Sequence, residues 1–149
     1  MSKFNDSALF DFIGTVDELN AHLGLVKALL IKENSQQADC QFIENIQKNL
    51  MKLMAHVSDI TNSKLFFSKE DVTELEQETG KLKEKLPKLT GFVLPGKNII
   101  EAQIHIARTI ARRAERLFFA VNEEQTLCPN AGEYLNKLSS YLFILSQDA

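Results

Sequence analysis

The sequence predicts an all-α fold, an antiparallel bundle of about five helices, and three observations carry that prediction. Apolar residues recur at three-and-four spacing over almost the whole chain. The only three prolines, Pro87, Pro95 and Pro129, each fall where that spacing breaks. No run alternates for more than a few residues, and there is no internal repeat or low-complexity tract. At 149 residues the chain reads as one domain, 1–149, long enough to bury about 70% of its unfolded surface.

The elements follow in order. Val16, Leu19, Leu23, Leu25, Val26 and Leu29 to Ile31 make a first helix. Phe42, Ile43, Ile46, Leu50, Leu53, Met54, Val57 and Ile60 make a second, and Val72, Leu75 and Leu82 mark a more polar third. The fourth carries Ile100, Ile104, Ala107, Ala111, Ala114, Phe118 and Val121, and the fifth Tyr134, Leu135, Leu138, Tyr141, Leu142 and Leu145. Capping-box spacing predicts starts at Thr15 (with Glu18), Ser68 (with Asp71), Asn98 (with Glu101) and Asn130 (with Glu133). "LPKLTGFVLPGKN", residues 86–98, is the one substantial non-helical connection, apolar enough to lie against the bundle.

Bulk properties narrow the function classes. A net charge of −3 gives no general pull toward nucleic acid, so any anion site must be local. No apolar run approaches the roughly 18 residues of a membrane span, and the start, "MSKFNDSALF", has no signal or transit layout. Cys40 and Cys128 are isolated, which suits free thiols in a reducing, cytoplasmic setting.

Against that acidic background, "IARTIARRAERLFF" places four arginines within nine positions and uses no lysine. Arginine offers a planar fork that grips phosphate or carboxylate bidentately, which lysine does not. At about 100° per residue, Ile100, Ala107, Ala111, Ala114 and Phe118 form the core face. Glu101, His105, Arg108, Arg112 and Glu115 form a polar stripe beside it, with Arg116 at its edge and Arg113 pointing elsewhere. Arg108 and Arg112 are a like-charge i,i+4 pair, mildly destabilising unless compensated. Glu101, Glu115, an acid from another helix or subunit, or a bound anion would compensate. The pattern suits either an anion grip or a solvated face laced with ion pairs.

Other chemistries are weaker. His22, His56 and His105 lack the twin Glu-x-x-His spacing of a di-iron bundle and read as packing or polar-face residues, so no metal site of protein ligands alone is expected. "LPGKN" reads as a turn, with Lys97 before a helix start. Phe66–Phe67 and Phe118–Phe119 are expected in the core, and Phe92, in a connection, reads most simply as core filler.

"GTVDELNAHLG", "FVLPGKN", "HIARTIARRAERLFF" and "YLNKLSSYLFILSQ" together resemble, in order and spacing, the PduO-type ATP:cob(I)alamin adenosyltransferases. The resemblance runs from "SKFNDSALFDFIGTVDELN" to the C-terminus, and its R-x-x-x-R-R-x-E-R core is specific. It implies a ferritin-like, cobalamin adenosyltransferase-like five-helix bundle assembled as a homotrimer with sites at subunit interfaces. The reaction implied is transfer of the 5′-deoxyadenosyl group of Mg²⁺-ATP to cob(I)alamin, the electron coming from a flavin-type reductase, with no nucleic acid and no membrane involved.

By the same resemblance Arg112, Arg113, Glu115 and Arg116 match the nucleotide-contacting run, Asn136 its asparagine and Lys3 its lysine. Arg108 and Arg112 match the catalytic arginines, Asp17 matches the partner of Arg108 in a subunit salt bridge, and Phe92 matches the aromatic against the lower face of the corrin. This chain starts just after the threonine- and glycine-rich segment with which the family normally begins, and Gln103 stands where the family has a small residue. Two classes of function therefore stand: an adenosyltransferase, or a catalytically weak corrinoid-binding or structural trimer that keeps its arginines for subunit salt bridges.

Overall fold

A computed structural model of the chain describes residues 6–33, 37–58, 68–89, 91–122 and 129–149. Among these residues it has five helices and no strand: α1 (Asp6–Lys32), α2 (Gln37–Ser58), α3 (Lys69–Glu84), α4 (Ile99–Asn122) and α5 (Pro129–Asp148). The main packing pairs are α4 with α5, α1 with α4, α3 with α5 and α1 with α2.

Side-chain pairs give the directions. Phe12 meets Phe118, and Glu18 meets Arg113, so α1 and α4 run antiparallel. Phe42 meets Tyr141 and Asn49 meets Tyr134, so α2 opposes α5. Lys69 pairs with Glu133 and Lys137 with Glu76, so α3 and α5 run parallel. This is the geometry of an up-down-up-down-up chain in which α5 lies between α3 and α4. The connection from α3 to α4 must therefore pass over the C-terminal end of α5.

Most of the anticipated core positions are buried, with Ala107, Ala111 and Ala114 all at 0% exposure, but Leu25 and Ile31 of α1 are exposed and Leu29, Phe42 and Met54 are only partly buried. Small side chains there let α4 lie close to its neighbours.

The caps divide. Ser68 and Asp71 form the full capping box. Asn98 Oδ1 accepts from the Glu101 amide at 2.8 Å, but the Glu101 carboxylate turns further back. The box at Thr15 is a correction: α1 already begins at Asp6, and the Thr15 hydroxyl donates to the Asp11 carbonyl at 2.7 Å inside the helix. α5 begins at Pro129, one residue before the cap expected at Asn130, and Glu133 accepts from Lys69 instead. Lys3, Cys128, Ile60 and the Phe66–Phe67 pair lie outside the described residues.

Two aromatic expectations are also corrected. Phe118 is buried, but Phe119 is half exposed. Phe92 fills no core: it is 110% exposed and Leu94 is 89% exposed, so this part of the connection stands off the bundle.

Candidate active site

α4 and α5 cross with Glu115 against Asn136, whose Nδ2 donates to Glu115 Oε2 at 3.1 Å. One turn and more toward the other end, Arg108 and Arg112 line a cavity of 360 Å³ with Ser139, Ser140, Phe143 and Ile144 of α5 and Thr79 and Lys83 of α3. Asn136, Ser139, Ser140 and Phe143 follow i, i+3, i+4, i+7 spacing, which puts them on one face of α5. That spacing in "LNKLSSYLF" was available to sequence reading, which nonetheless singled out only Asn136. Thr79 and Lys83 left no such signal, because α3 reaches the site only through packing on α5.

Among the described residues the cavity wall carries three cations and three hydroxyls and no carboxylate. Glu101 and Glu115, the same-helix acids expected to compensate the Arg108–Arg112 pair, are both occupied elsewhere. Among the described residues neither arginine has a carboxylate within ion-pair range. Arg113 is the exception in the run: it pairs with Glu18 of α1, away from the cavity. Arg116 is exposed, as is Asp17 on α1.

A second cavity, of 680 Å³, adjoins the first and shares Lys83, Phe143 and Ile144 with it. Its other walls are Leu86, Pro87, Lys88, Leu89 and Gln147, so the α3–α4 connection roofs it. A third, of 280 Å³, lies between the turn at Pro95–Gly96 and Arg108 and is also lined by His105 and Ile106. Arg108 is thus a wall common to the first and third cavities.

Behind Arg108 lies a buried polar chain. Glu101 Oε1 accepts from the amides of Gly96 at 2.7 Å and Lys97 at 3.0 Å. Its Oε2 lies 3.2 Å from His105 Nε2, off the line of a well-formed hydrogen bond. His105 Nδ1 accepts from Arg108 Nε at 3.2 Å. Glu101 is 1% exposed and His105 is 3% exposed. Burial would raise the Glu101 carboxyl, but the two backbone amides, with the charges of His105 and Lys97, hold it below its ordinary value. Burial pushes the His105 ring down, and Arg108 and Lys97 add to this against the pull of Glu101. Gly96 has φ +117°, a left-handed conformation that favours glycine, which lets the turn aim both amides at one carboxylate.

The comparisons with known proteins agree with one another. The family model for cobalamin adenosyltransferase matches residues 3–149. A corrinoid adenosyltransferase of Citrobacter freundii is 35% identical over 95% of this chain and 81% of its own length. A corrinoid adenosyltransferase of Bacillus subtilis is 33% identical over 93% of this chain and 72% of its own. A variant PduO-type ATP:corrinoid adenosyltransferase from Lactobacillus reuteri, solved with cobalamin and ATP, superposes with a TM-score of 0.84 at 26% identity, covering 94% of this chain and 76% of that one. With the family model spanning nearly every residue and relatives above 30% identity, the chain belongs to the cobalamin adenosyltransferase family.

Proposed function

We propose that this protein transfers the 5′-deoxyadenosyl group of ATP to cob(I)alamin, giving adenosylcobalamin and triphosphate. The observation that carries the reading is the arginine cavity: Arg108 and Arg112 face it without a carboxylate partner among the described residues, beside Lys83 and three hydroxyls. Guanidinium forks and hydroxyls in a recess suit an oligophosphate. Cobalt in its lowest oxidation state attacks C5′, the cobalt–carbon bond forms, and the C5′–oxygen bond breaks. Charge develops on the departing triphosphate, where Arg108 and Arg112 stabilise it. No general base is needed. Mg²⁺ accompanies ATP as part of the substrate.

Arg112, Arg116, Glu115 and Asn136 hold the nucleotide, with Lys3 completing the set, and Arg113 joins them only by leaving its pair with Glu18 of α1. The adjoining apolar cavity and the exposed Phe92 and Leu94 give the corrin an apolar surface, Phe92 keeping water and the base off its lower face. Phe10, Leu25 and Ile31 on α1 and Ile99 and Ile106 on α4 are exposed, which supports a second copy packing there as part of a homotrimer. In that assembly Asp17 of one subunit pairs with one terminal NH₂ of Arg108 of the next, leaving the other for the phosphates. A flavin-type reductase supplies the electron, and the protein works as a single cytoplasmic domain. No described helix is long and apolar enough to cross a membrane.

The test is an anaerobic assay with chemically reduced cob(I)alamin, Mg-ATP and this chain, adenosylcobalamin being quantified against a protein-free control. Product above control supports the transferase. Neither product nor ATP binding would leave a corrinoid-binding or structural trimer in its place.

A further inference from the structure

We propose that Glu101 and His105 are positioning residues for Arg108, forming a buried link that ties the turn at Gly96–Lys97 to the guanidinium facing the phosphate cavity. The inference rests on the adenosyltransferase reading and adds two residues to it. Three features carry it. The Glu101 carboxylate leaves the reciprocal capping position and takes two amides of the turn instead. His105 presents Nδ1 as a hydrogen-bond acceptor to Arg108 Nε, although an arginine beside a histidine needs no such bond to remain folded. Arg108 also divides the cavity under the turn from the cavity with the hydroxyls, so its orientation sets the shape of both.

The planar guanidinium turns about its Cδ–Nε bond unless the Nε–H is held. Fixing Nε leaves the two terminal NH₂ groups as the pair free to engage phosphate or a partner carboxylate. His105 does the fixing, and Glu101 holds His105 through its charge while gripping the turn. The charged groups acting on His105 are Glu101 and Arg108 on its own helix and Lys97 on the turn. From α5 the uncharged Phe143 ring stands against it, with ring centroids 6.2 Å apart. Protonating His105 turns Nδ1 into a donor, and the bond to Arg108 is lost.

Two variants separate this role from simple packing. In His105→Asn the amide oxygen takes the Nδ1 position and still accepts from Arg108. In His105→Gln the amide reaches the Nε2 position and leaves Arg108 unheld. Two readouts apply to the assembled protein: solvent exchange of the Arg108 Nε–H by NMR, and steady-state kinetics with Mg-ATP and cob(I)alamin. Expected are slow Nε–H exchange in wild type and His105→Asn and fast exchange in His105→Gln. In parallel, kcat should fall by about 10- to 100-fold in His105→Gln with the KM for ATP little changed, and largely recover in His105→Asn. The acid limb of the wild-type kcat profile should be absent from His105→Asn.

If either histidine variant fails to fold, the Arg108 Nε resonance of the wild-type protein followed through the His105 titration reads the same bond: it should shift as the ring protonates, and a resonance that does not move overturns the link. Equal Nε–H exchange in wild type and His105→Gln overturns the link whatever the activity. Wild-type protein without product, but with the expected exchange pattern, instead overturns the transferase reading and leaves the link standing.

Discussion

The Nε–H of Arg108 donates to Nδ1 of His105 at 3.2 Å, so the neutral ring carries its own proton on Nε2, toward Glu101. A buried acid, a buried imidazole and a half-buried guanidinium thus follow one another along a single face of α4.

That order makes stability depend on pH with a definite sign. The His105 ring is held below its ordinary 6.5 by burial and by Arg108 and Lys97, so the unfolded chain binds a proton the native ring refuses. Stability is level above about pH 6.5 and falls as the pH drops from there toward the native value. Glu101 is held below 4.5, and its contribution, complete above that pH, is lost as the pH falls through its native value. Urea midpoints measured from pH 8 down to pH 2 should decline in two stages, the second below about pH 4.5, and His105→Asn should remove the first. A midpoint unchanged between pH 7 and 5 would contradict the account.

Arg112→Ala should weaken ATP binding by about 10- to 100-fold, the worth of charge-assisted hydrogen bonds to phosphate. Its helix is otherwise undisturbed, because Arg112 is exposed and pairs with no described acid. Calorimetric titration checks this, and wild-type affinity in the variant removes Arg112 from the site.

In the proposed trimer, Asp17→Ala and Arg108→Ala should each shift the assembly toward smaller species, read by light scattering across a concentration series. Asp17 is exposed in the single chain and forms no ion pair among the described residues, so the subunit bridge is the interaction at risk. Glu18→Ala removes only the contact to Arg113 within the chain and should leave assembly unaltered.

Phe92→Ala should change the unfolding free energy by less than about 0.5 kcal/mol, as a surface substitution does, because the ring is 110% exposed. Adenosylation should nonetheless slow, and the cob(II)alamin spectrum with ATP should stay base-on. Substantial unfolding of this variant would mean that the ring packs in the assembly.

Two helical glycines should respond oppositely to alanine. Gly80 in α3 has nothing within 4 Å of an added Cβ, so Gly80→Ala should stabilise by about 0.5–1 kcal/mol. At Gly132 the Cβ would stand 3.0 Å from the Phe118 ring and 3.1 Å from Phe119. Phe118 is buried and cannot yield, so Gly132→Ala should destabilise despite its better helix propensity. Thermal melts of the pair provide the comparison.

The five helices were legible from the chain because a helix's buried stripe is written locally, at three-and-four spacing, and hydrophobic burial enforces it. The Ser68 cap was legible for the same reason, both partners lying within four residues. The identical spacing at Thr15 misled, because a capping pair has no meaning once helix continues upstream to Asp6. The arginine cluster was visible as residues, but its use was not. Only the tertiary packing put α3's Thr79 and Lys83 and α5's serines around one cavity with Arg108 and Arg112, since they lie 25 to 33 positions from those arginines in the chain. Packing likewise committed Glu101 to the turn, divided Phe118 from Phe119 and left Phe92 outside. A side chain's burial depends on what other elements bring to it, and no local pattern records that.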